Sequence, residues 1–385
     1  MPAAGALGRP RVLVVHPSAE LYGSDRVALE TVRALVEAGA TVEVVLAGDG
    51  PLAIELAAVG VRVSVVPLPV LRKSVLTPRG ILGFVGGTLR WTPRAISRLR
   101  ATRPAVVYVS TVTMPWWLVL ARLVGARPVC HVHEAEEDVP CPVRWGLAAP
   151  LLAAASVIAN SARSAEVVGR AIPRLERRTR VVYNGVPGPD HVTAPRESLD
   201  GPVRLVLIGR LSPRKGTDVA VQALAELVNR GRDVTLDLVG GAFTGYEWFV
   251  DQVRAAATDA GVADRVRWRG ELPDVWQALA EADVALVPSR VEPFGNAAVE
   301  ALLAGRPVVA GDTQGLREIV RPGVNGELVT PGDAASLADA VERIVEDWPT
   351  ALERTVTARE AAERDFAPPR YRRDVVAIIT EVADR

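Results

Sequence analysis

The sequence predicts two doubly wound α/β domains, each a parallel sheet with helices on both faces. Short apolar, β-branched runs such as Arg11–Pro17 recur along the chain and alternate with helical patterns such as Val27–Ala38. Near-continuous apolar runs are typical of strands buried on both faces, and their alternation with helices is typical of a doubly wound sheet. The chain has 385 residues, more than a single hydrophobic core usually serves, so two domains are expected.

The predicted strands fall into two groups separated by a stretch rich in Pro, Gly and Asp, Asn184–Pro202. In the first half they are Arg11–Pro17, Thr41–Ala47, Val61–Pro67, Ala105–Ser110, Pro128–His133, Val157–Asn160 and Arg180–Tyr183. In the second half they are Val203–Ile208, Val234–Val239, Val266–Trp268, Val284–Pro288 and Pro307–Ala310. Helical patterns, including Ala95–Ala101, lie between them.

These groups predict a domain at 1–190, a linker at 191–202 and a second domain at 203–369. A helical tail at 370–385, after Pro368-Pro369, is expected to return to the first domain. Two such domains imply a cleft facing the carboxyl ends of their strands.

Composition excludes several classes of protein. Lys+Arg and Asp+Glu both total 45, so net charge does not favour nucleic acid as a partner. Two cysteines, Cys130 and Cys141, are too few for a disulfide framework. The start of the chain lacks the pattern of a signal peptide, and no apolar run reaches the length of a membrane span. These features predict a cytoplasmic protein.

The segment Glu292–Glu300, EPFGNAAVE, places two carboxylates at a strand-to-helix junction. A helical pattern runs from near Asn296 to Leu303, with Asn296 as the expected cap. Gly295 permits close approach of a ligand to the backbone. Helix N-terminal amides attract phosphate and carboxylates accept hydrogen bonds from hydroxyls, so the segment fits an anionic ligand with hydroxyls at each end. Ordinary surface glutamates are the alternative.

A second junction supplies cations. The strand Val203–Ile208 runs into Gly209–Gly216 (GRLSPRKG), and a helix follows with Thr217 or Asp218 as the expected cap. Arg210 and Lys215 within this loop suit a diphosphate. Solvated loop cations are the alternative.

The second half resembles the retaining GT-B glycosyltransferases of family 4. The family's motif of two glutamates separated by seven residues is matched by Glu292–Val308 (EPFGNAAVEALLAGRPV), and Gly311–Val320, Gly209–Gly216 and Val287–Ser289 are also similar to family segments. The resemblance covers most of Val203–Val329. It implies the GT-B fold, two Rossmann-like doubly wound domains facing a central cleft. It also implies a hexosyltransferase that moves a sugar, with retention, from a nucleotide-diphosphate sugar to a hydroxyl acceptor.

The resemblance also implies roles for individual residues. Arg210 and Lys215 clamp the diphosphate, Glu292 binds hydroxyls of the transferred sugar, and Glu300 binds the ribose. The segment Arg269–Pro273 lies where the family holds the base. The implied catalytic residues are His133, Arg210, Lys215 and Glu292. The implied donor-binding residues are Gly23, Gly209, Arg210, Lys215, Gly270, Leu272, Glu292, Phe294, Gly295, Asn296 and Glu300.

Two turns of the first half resemble the family more weakly. Tyr22–Arg26 (YGSDR) stands where the family has a Gly-Gly turn close to donor phosphate and acceptor, with Tyr22 replacing a glycine; a plain helix cap is the alternative. His133-Glu134 matches a family pair at a strand end, and by resemblance His133 lies beside the transferred sugar. His131 and His133 lack a third ligand at suitable spacing, so no metal is predicted, and no cofactor is expected.

The segment from Leu56 to His133 contains no Asp or Glu, whereas Arg and Lys recur through it. Seven cations between Arg72 and Arg100 are interleaved with apolar residues. This composition predicts recognition of a glycan or lipid-linked acceptor, or peripheral contact of residues 72–103 with an anionic membrane at its inner face. A basic solvated face is the alternative.

Other functions on a similar fold stay open. A non-transferase nucleotide-sugar enzyme, such as an epimerase, and an inactive nucleotide-sugar-binding module both fit the fold. A dehydrogenase is disfavoured because no strand leads into G-x-G-x-x-G. A glycosidase pair is disfavoured because Glu292 and Glu300 straddle a helix N-terminus rather than one bond.

Overall fold

The fold is built on parallel sheets, seen in a computed structural model that describes residues 9–71, 75, 77–137, 139–242, 245–272 and 274–385. The chain packs as an amino-terminal unit, Met1–Gly185 with Pro368–Arg385, and a carboxy-terminal unit, Val186–Ala367. In the described residues each unit contains one parallel sheet with flanking helices, as the alternation of patterns predicts.

The amino-terminal unit has its strands in the order β3-β2-β1-β4-β5-β6-β7. The strands are β1 (Arg11–His16), β2 (Thr41–Leu46), β3 (Arg62–Val65), β4 (Val106–Val109), β5 (Arg127–Val132), β6 (Ser156–Ala159) and β7 (Thr179–Val181). Along β1 alternate side chains enter different cores: Val12 and Val14 pack into one apolar cluster and Leu13 and Val15 into another. Burial on both faces explains the continuous apolar runs.

Helices cover this sheet. They are α1 (Gly23–Glu37), α2 (Pro51–Ala58), α3 (Pro78–Thr102), α4 (Pro115–Leu123), α5 (Cys141–Ala148), α6 (Ala162–Ala171) and, from the end of the chain, α14 (Pro368–Asp384), with 3-10 turns at Ala149–Ala153 and Pro173–Arg178. Helix α14 packs against α1: Tyr371 hydrogen-bonds Thr31, and Arg372 pairs with Glu30 and Glu37.

The carboxy-terminal unit has the strand order β10-β9-β8-β11-β12-β13. The strands are β8 (Val203–Ile208), β9 (Val234–Val239), β10 (Val266–Gly270), β11 (Val284–Val287), β12 (Val308–Gly311) and β13 (Glu327–Val329). The helices are α7 (Thr217–Asn229), α8 (Glu247–Asp259), α9 (Trp276–Glu281), α10 (Asn296–Leu303), α11 (Leu316–Ile319), α12 (Ala334–Glu346) and α13 (Trp348–Asp365), with 3-10 turns at Pro213–Lys215 and Ala263–Arg265.

In this sheet β8 pairs with both β9 and β11. The chain order of the strands reverses between β8 and β11, which makes this the switch point, where loops at the carboxyl ends diverge and ligands bind in open α/β sheets.

The segment 191–202, predicted as a linker, belongs instead to the carboxy-terminal unit. Arg196 donates to the buried carboxylate of Asp283, and Arg306 donates to the carbonyl of Thr193. These bonds anchor a stretch whose composition indicated only a loop, so the boundary of this unit lies at Val186.

Candidate active site at the switch point of the second sheet

The centre of the candidate site is an ion pair between two loops at the switch point. Lys215 ends the 3-10 turn that follows β8, and Glu292 lies in the loop that follows β11. The ammonium Nζ of Lys215 donates to Oε2 of Glu292 across 77 positions of sequence. The structure therefore brings together the cation and the carboxylate that the two sequence motifs separately predicted. Lys215 and Lys73 are the only lysines of the chain.

Glycines shape the turn that presents Lys215. Gly209 has φ 141°, and a Cβ built there would lie 3.7 Å from Cε of Lys215, so the lysine stem packs over bare backbone. Gly216 has φ 71°, and a Cβ there would lie 2.2 Å from the carbonyl oxygen of Pro288. Only glycine fits this position without displacing the loop. The predicted caps Thr217 and Asp218 are wrong, because α7 begins directly after Gly216, its N-cap residue.

Glu292 is held ionised although it is only 7% exposed. Burial raises the pKa of a carboxyl group, but here the charges of Lys215 and Arg214 and hydrogen bonds from Lys215 and Ser289 outweigh burial and lower the pKa. The hydroxyl of Ser289 lies 3.3 Å from Oε2 of Glu292. The result is a buried, charged hydrogen-bond acceptor at the sheet edge.

The helix that follows Glu292 spans Asn296–Leu303, the bounds that the sequence indicated. Its N-cap is Gly295 rather than the predicted Asn296, because Gly295 takes φ 125° and starts the helix one residue earlier. A Cβ on Gly295 would lie 2.6 Å from Leu316, so the backbone is packed tightly here. The amides of Ala298 and Val299 both donate to the carbonyl of Gly295, and the amides ahead of them lie before the first helical hydrogen bond.

Arg290 joins the two loops and was not predicted. Its guanidinium donates to the carbonyl of Pro213 at 2.7 Å and makes a bidentate pair with Asp218 at 2.8 and 2.7 Å. Its backbone amide donates to the carbonyl of Arg214 at 2.8 Å. The tripeptide Val287–Ser289 directly before it was noticed only as a family match, and nothing local in the sequence pairs Arg290 with Asp218.

The other residues of this unit that were predicted to bind the nucleotide sugar differ in their burial. Arg210 is half-buried in the turn after Gly209, and Glu300 is half-buried one turn into α10. Gly270 ends β10 with φ 65°, and Leu272 lies half-buried in the loop beyond it. Phe294, also predicted to bind the donor, has a buried side chain that packs edge-on against Phe366 at 5.7 Å between ring centroids.

In the amino-terminal unit, His133 directly follows β5 and its ring centroid lies 4.0 Å from that of His131. Burial and the neighbouring His16 lower the pKa of His133 to about 3, although Asp25 acts in the opposite direction. Its imidazole is therefore neutral at physiological pH. Glu134 accepts hydrogen bonds from the Thr111 hydroxyl and from the backbone amide of His133, which fixes the turn.

The turn that contains Gly23 is braced by buried polar groups that the sequence did not reveal. Gly23 is the first residue of α1. His16 lies between Ser110 and Asp25, with Nδ1 to Oγ at 2.5 Å and Nε2 to Oδ1 at 2.7 Å, and the second oxygen of Asp25 accepts the amide of Tyr22 at 2.9 Å. Helix capping, the alternative interpretation of this turn, therefore coexists with a bond between Asp25 and His16 at the end of β1.

Two family models match the chain: "Glycosyltransferase Family 4" over residues 22–187 and "Glycosyl transferases group 1" over residues 202–347. The 2-deoxystreptamine glucosyltransferase of Streptomyces kanamyceticus is 31% identical over 343 residues, which cover 80% of this chain and 84% of that protein. The chain is a group 1 glycosyltransferase. A D-inositol 3-phosphate glycosyltransferase of Acidothermus cellulolyticus is 36% identical over 229 residues, 55% of this glycosyltransferase and 51% of that protein.

Solved structures confirm the predicted GT-B fold. Anabaena HepE (Alr3699), solved in complex with UDP and glucose, superposes with a TM-score of 0.82 over 97% of this chain and 100% of that chain, at 24% identity. A sucrose-phosphate synthase of Thermosynechococcus elongatus gives a TM-score of 0.77 over 97% and 99% of the two chains, at 20% identity. The glycosyltransferase therefore has two Rossmann-like units of the GT-B type.

Within the described ranges, no helix combines the length and apolar character needed to cross a bilayer. Within those same ranges, no three His, Cys, Asp or Glu side chains gather in a way that could hold a metal ion.

Proposed function

We propose that the carboxy-terminal unit binds a nucleotide-diphosphate sugar and that Lys215 receives the diphosphate. The observation that carries the proposal is the Lys215–Glu292 pair at the switch point. A buried carboxylate kept ionised is suited to accept hydrogen bonds from sugar hydroxyls, and the ammonium beside it is suited to a phosphate. Glu300 is assigned to the ribose, and the loop at Gly270 and Leu272 to the base.

The residues of the site are suited to stabilise the negative charge of the departing diphosphate. When the bond between the anomeric carbon and the diphosphate breaks, negative charge grows on the phosphate oxygens. Lys215, Arg210 and the amides at the start of α10 are assigned to that charge. Loss of one preorganised donor of this kind costs about 10²–10³ in rate. Helix dipoles contribute only about 0.3–2 kcal/mol, so the two cations are expected to dominate. No metal is required for this step, and we propose transfer with retention at the anomeric carbon.

The first donor to test is a UDP-sugar. Its support is the fold likeness to HepE, which was solved with UDP and glucose and with UDP-glucose. A panel of UDP-, GDP- and ADP-sugars in a thermal-shift assay tests the base, because a donor at 100 times its Kd stabilises the folded state by about 2.7 kcal/mol.

Lysine labelling tests the site directly. Because Lys215 has only Lys73 as a companion lysine, modification by a lysine-selective reagent followed by peptide mapping reports on Lys215. The proposal expects UDP to protect Lys215 while Lys73 and the amino terminus, the internal controls, label as before. Equal labelling of Lys215 with and without saturating UDP, GDP and ADP contradicts the diphosphate assignment.

For the acceptor, we propose a glycan presented at an anionic membrane surface. The support is the amino-terminal half of α3, whose apolar side chains are exposed although the protein has a large core. Leu82 is 73% exposed and Leu89 is 71% exposed, and with Ile81 and Val85 they form one stripe of the helix. Arg79 and Arg90 are exposed beside it. Of the predicted segment 72–103, residues 72–74 and 76 lie outside the described residues.

Exposed apolar residues continue on α4, where Trp116 contacts Phe84 of α3 at 6.2 Å between ring centroids. Apolar side chains flanked by arginines fit an anionic lipid interface. Vesicle co-sedimentation tests this: Leu82→Glu/Leu89→Glu is expected to lose binding to phosphatidylglycerol vesicles. The control is Val356→Glu, which places the same charge at a 60% exposed apolar site of the other unit. Binding that ignores anionic lipid would leave a soluble small polyol as the better acceptor class.

A further inference from the structure

We propose that Arg290 is a positioning residue for Lys215, acting by holding the β8–α7 turn against the loop of Glu292. This inference rests on the proposed function, because it assigns Arg290 to the placement of the cation that receives the diphosphate. Arg290 itself is not assigned a contact with the donor.

The contacts of Arg290 reach both ends of the turn. Its Nη1 donates to the carbonyl of Pro213, the first residue of the 3-10 turn, at 2.7 Å. The bidentate pair with Asp218, at 2.8 and 2.7 Å, holds the first turn of α7 just beyond the 3-10 turn. Lys215 lies between these two anchors. The backbone amide of Arg290 adds a third bond, to the carbonyl of Arg214 at 2.8 Å.

The loop after β11 therefore carries both Arg290, which holds the turn of Lys215, and Glu292, which pairs with Lys215. Glu292 follows Arg290 by two residues and accepts the hydrogen bond from Lys215. Arg290 is itself held from the other side, where its carbonyl accepts the hydroxyl of Thr313 at 3.2 Å. Because the anchors fix the turn on either side of Lys215, the distance from Nζ to the phosphate position depends on Arg290 rather than on the flexible lysine stem alone.

A guanidinium is suited to this task and an ammonium is not. A planar guanidinium can donate two parallel hydrogen bonds to a carboxylate and still donate to a carbonyl, as Arg290 does with Asp218 and Pro213. A lysine at position 290 keeps the charge but cannot make the bidentate pair with Asp218. Arg290→Lys is therefore expected to recover only part of the function lost in Arg290→Ala.

The test is a sugar-transfer assay on the whole 385-residue chain, with the donor that stabilises it most. The proteins compared are wild type, Arg290→Ala, Asp218→Asn, Lys215→Ala and the double variant Arg290→Ala/Lys215→Ala. A displacement of about 1 Å at a catalytic group costs up to about 10²-fold in rate. We expect kcat/KM to fall about 10- to 100-fold in Arg290→Ala and less in Asp218→Asn, which keeps the bond to Pro213. We expect the double variant to lose no more than Lys215→Ala alone, because Arg290 acts through Lys215.

The matched control is Arg232→Ala. The guanidinium of Arg232, like that of Arg290, donates to two different residues, here the carboxylates of Glu342 and Glu346, but Arg232 lies just beyond the other end of α7. It is expected to leave kcat/KM unchanged. Guanidinium ion at millimolar concentration is expected to restore part of the activity of Arg290→Ala and none of that of Arg232→Ala.

The outcomes separate the inference from the proposed function. If wild type binds no nucleotide sugar, or Lys215→Ala loses nothing, the proposed function fails. If Lys215→Ala loses activity while Arg290→Ala and Asp218→Asn keep it, or if the losses of Arg290→Ala and Lys215→Ala multiply in the double variant, the positioning role fails and the proposed function stands. If Arg290→Ala does not fold, Asp218→Asn with Lys215→Ala provides the same cycle.

Discussion

Replacing Lys215 by methionine removes the ammonium and keeps an unbranched apolar stem of similar length. The carboxylate of Glu292, 7% exposed, then loses the partner that balances its burial. Removal of one partner from a buried ion pair costs about 3–5 kcal/mol. The Lys215 side chain is 21% exposed, so water screens part of the pair and the loss is expected at the lower end, about 3 kcal/mol.

The loss of stability in Lys215→Met is expected to depend on pH. In wild type the pKa of Glu292 is lowered below its ordinary value of 4.5, so its contribution to stability is present above pH 4.5 and is lost as pH falls through the folded-state pKa. In Lys215→Met, burial without the ammonium moves this pKa upward. The charged form then costs free energy, and the deficit relative to wild type is largest near pH 7.5 and shrinks as pH falls and the carboxyl group protonates.

Urea unfolding followed by tryptophan fluorescence, at pH 7.5, 5.5 and 4.5, measures this deficit. Lys215→Met/Glu292→Gln is the control, because a neutral amide needs no cation; it is expected to recover most of the loss at pH 7.5. A Lys215→Met protein as stable as wild type at pH 7.5, or a deficit that does not change with pH, refutes the reasoning that Lys215 keeps Glu292 ionised.

Three further predictions concern stability and are checked by urea unfolding. His133 has a pKa of about 3 when folded against about 6.5 unfolded, so stability falls as pH drops below 6.5, by at most about 1.4 kcal/mol at pH 5.5; His133→Gln should flatten this dependence, and an unchanged slope would assign it elsewhere. Gly216→Ala should lower the free energy of unfolding by more than about 2 kcal/mol, because the added Cβ clashes with Pro288. The control Gly231→Ala, with a similar φ of 80° and open space around it, should lower it by only about 1–2 kcal/mol. Equal losses would contradict the steric argument. Asp283→Asn removes a buried carboxylate that holds Arg196 and should cost about 3 kcal/mol and expose residues 191–202 to limited proteolysis; wild-type resistance would show that other contacts anchor the segment.

Most strands were predictable because their residues are buried on both faces of a sheet, which leaves a continuous apolar run in the sequence. β8 and β9 match their predicted bounds, and the other predicted strands are shifted by a residue or two. The strand β13 was missed because it spans only Glu327–Val329, too short to show a pattern. Helix α3 was predicted only at Ala95–Ala101 because its earlier part contains Gly86, Gly87 and Pro93, which disfavour helix locally.

The candidate site was predictable in part for a related reason. Motifs around Lys215 and Glu292 lie at strand-to-helix junctions, and the strand pattern places such junctions at one edge of a parallel sheet. The caps of α7 and α10 were predicted at polar residues and lie at Gly216 and Gly295 instead. In both helices a positive φ starts the helix one residue earlier than a polar cap would.

The sequence by itself determined the fold class, the group 1 resemblance and the loops that carry the candidate site, because periodicity and motif order are local properties of the chain. Tertiary structure alone decided that Lys215 bonds to Glu292, that Arg290 holds Asp218 and that Arg196 anchors the segment 191–202. These pairs join residues more than seventy positions apart. Which charged side chains pair depends on how the sheet brings the loops together and on burial, which makes an unpaired charge costly. Neither property can be inferred from a local sequence pattern.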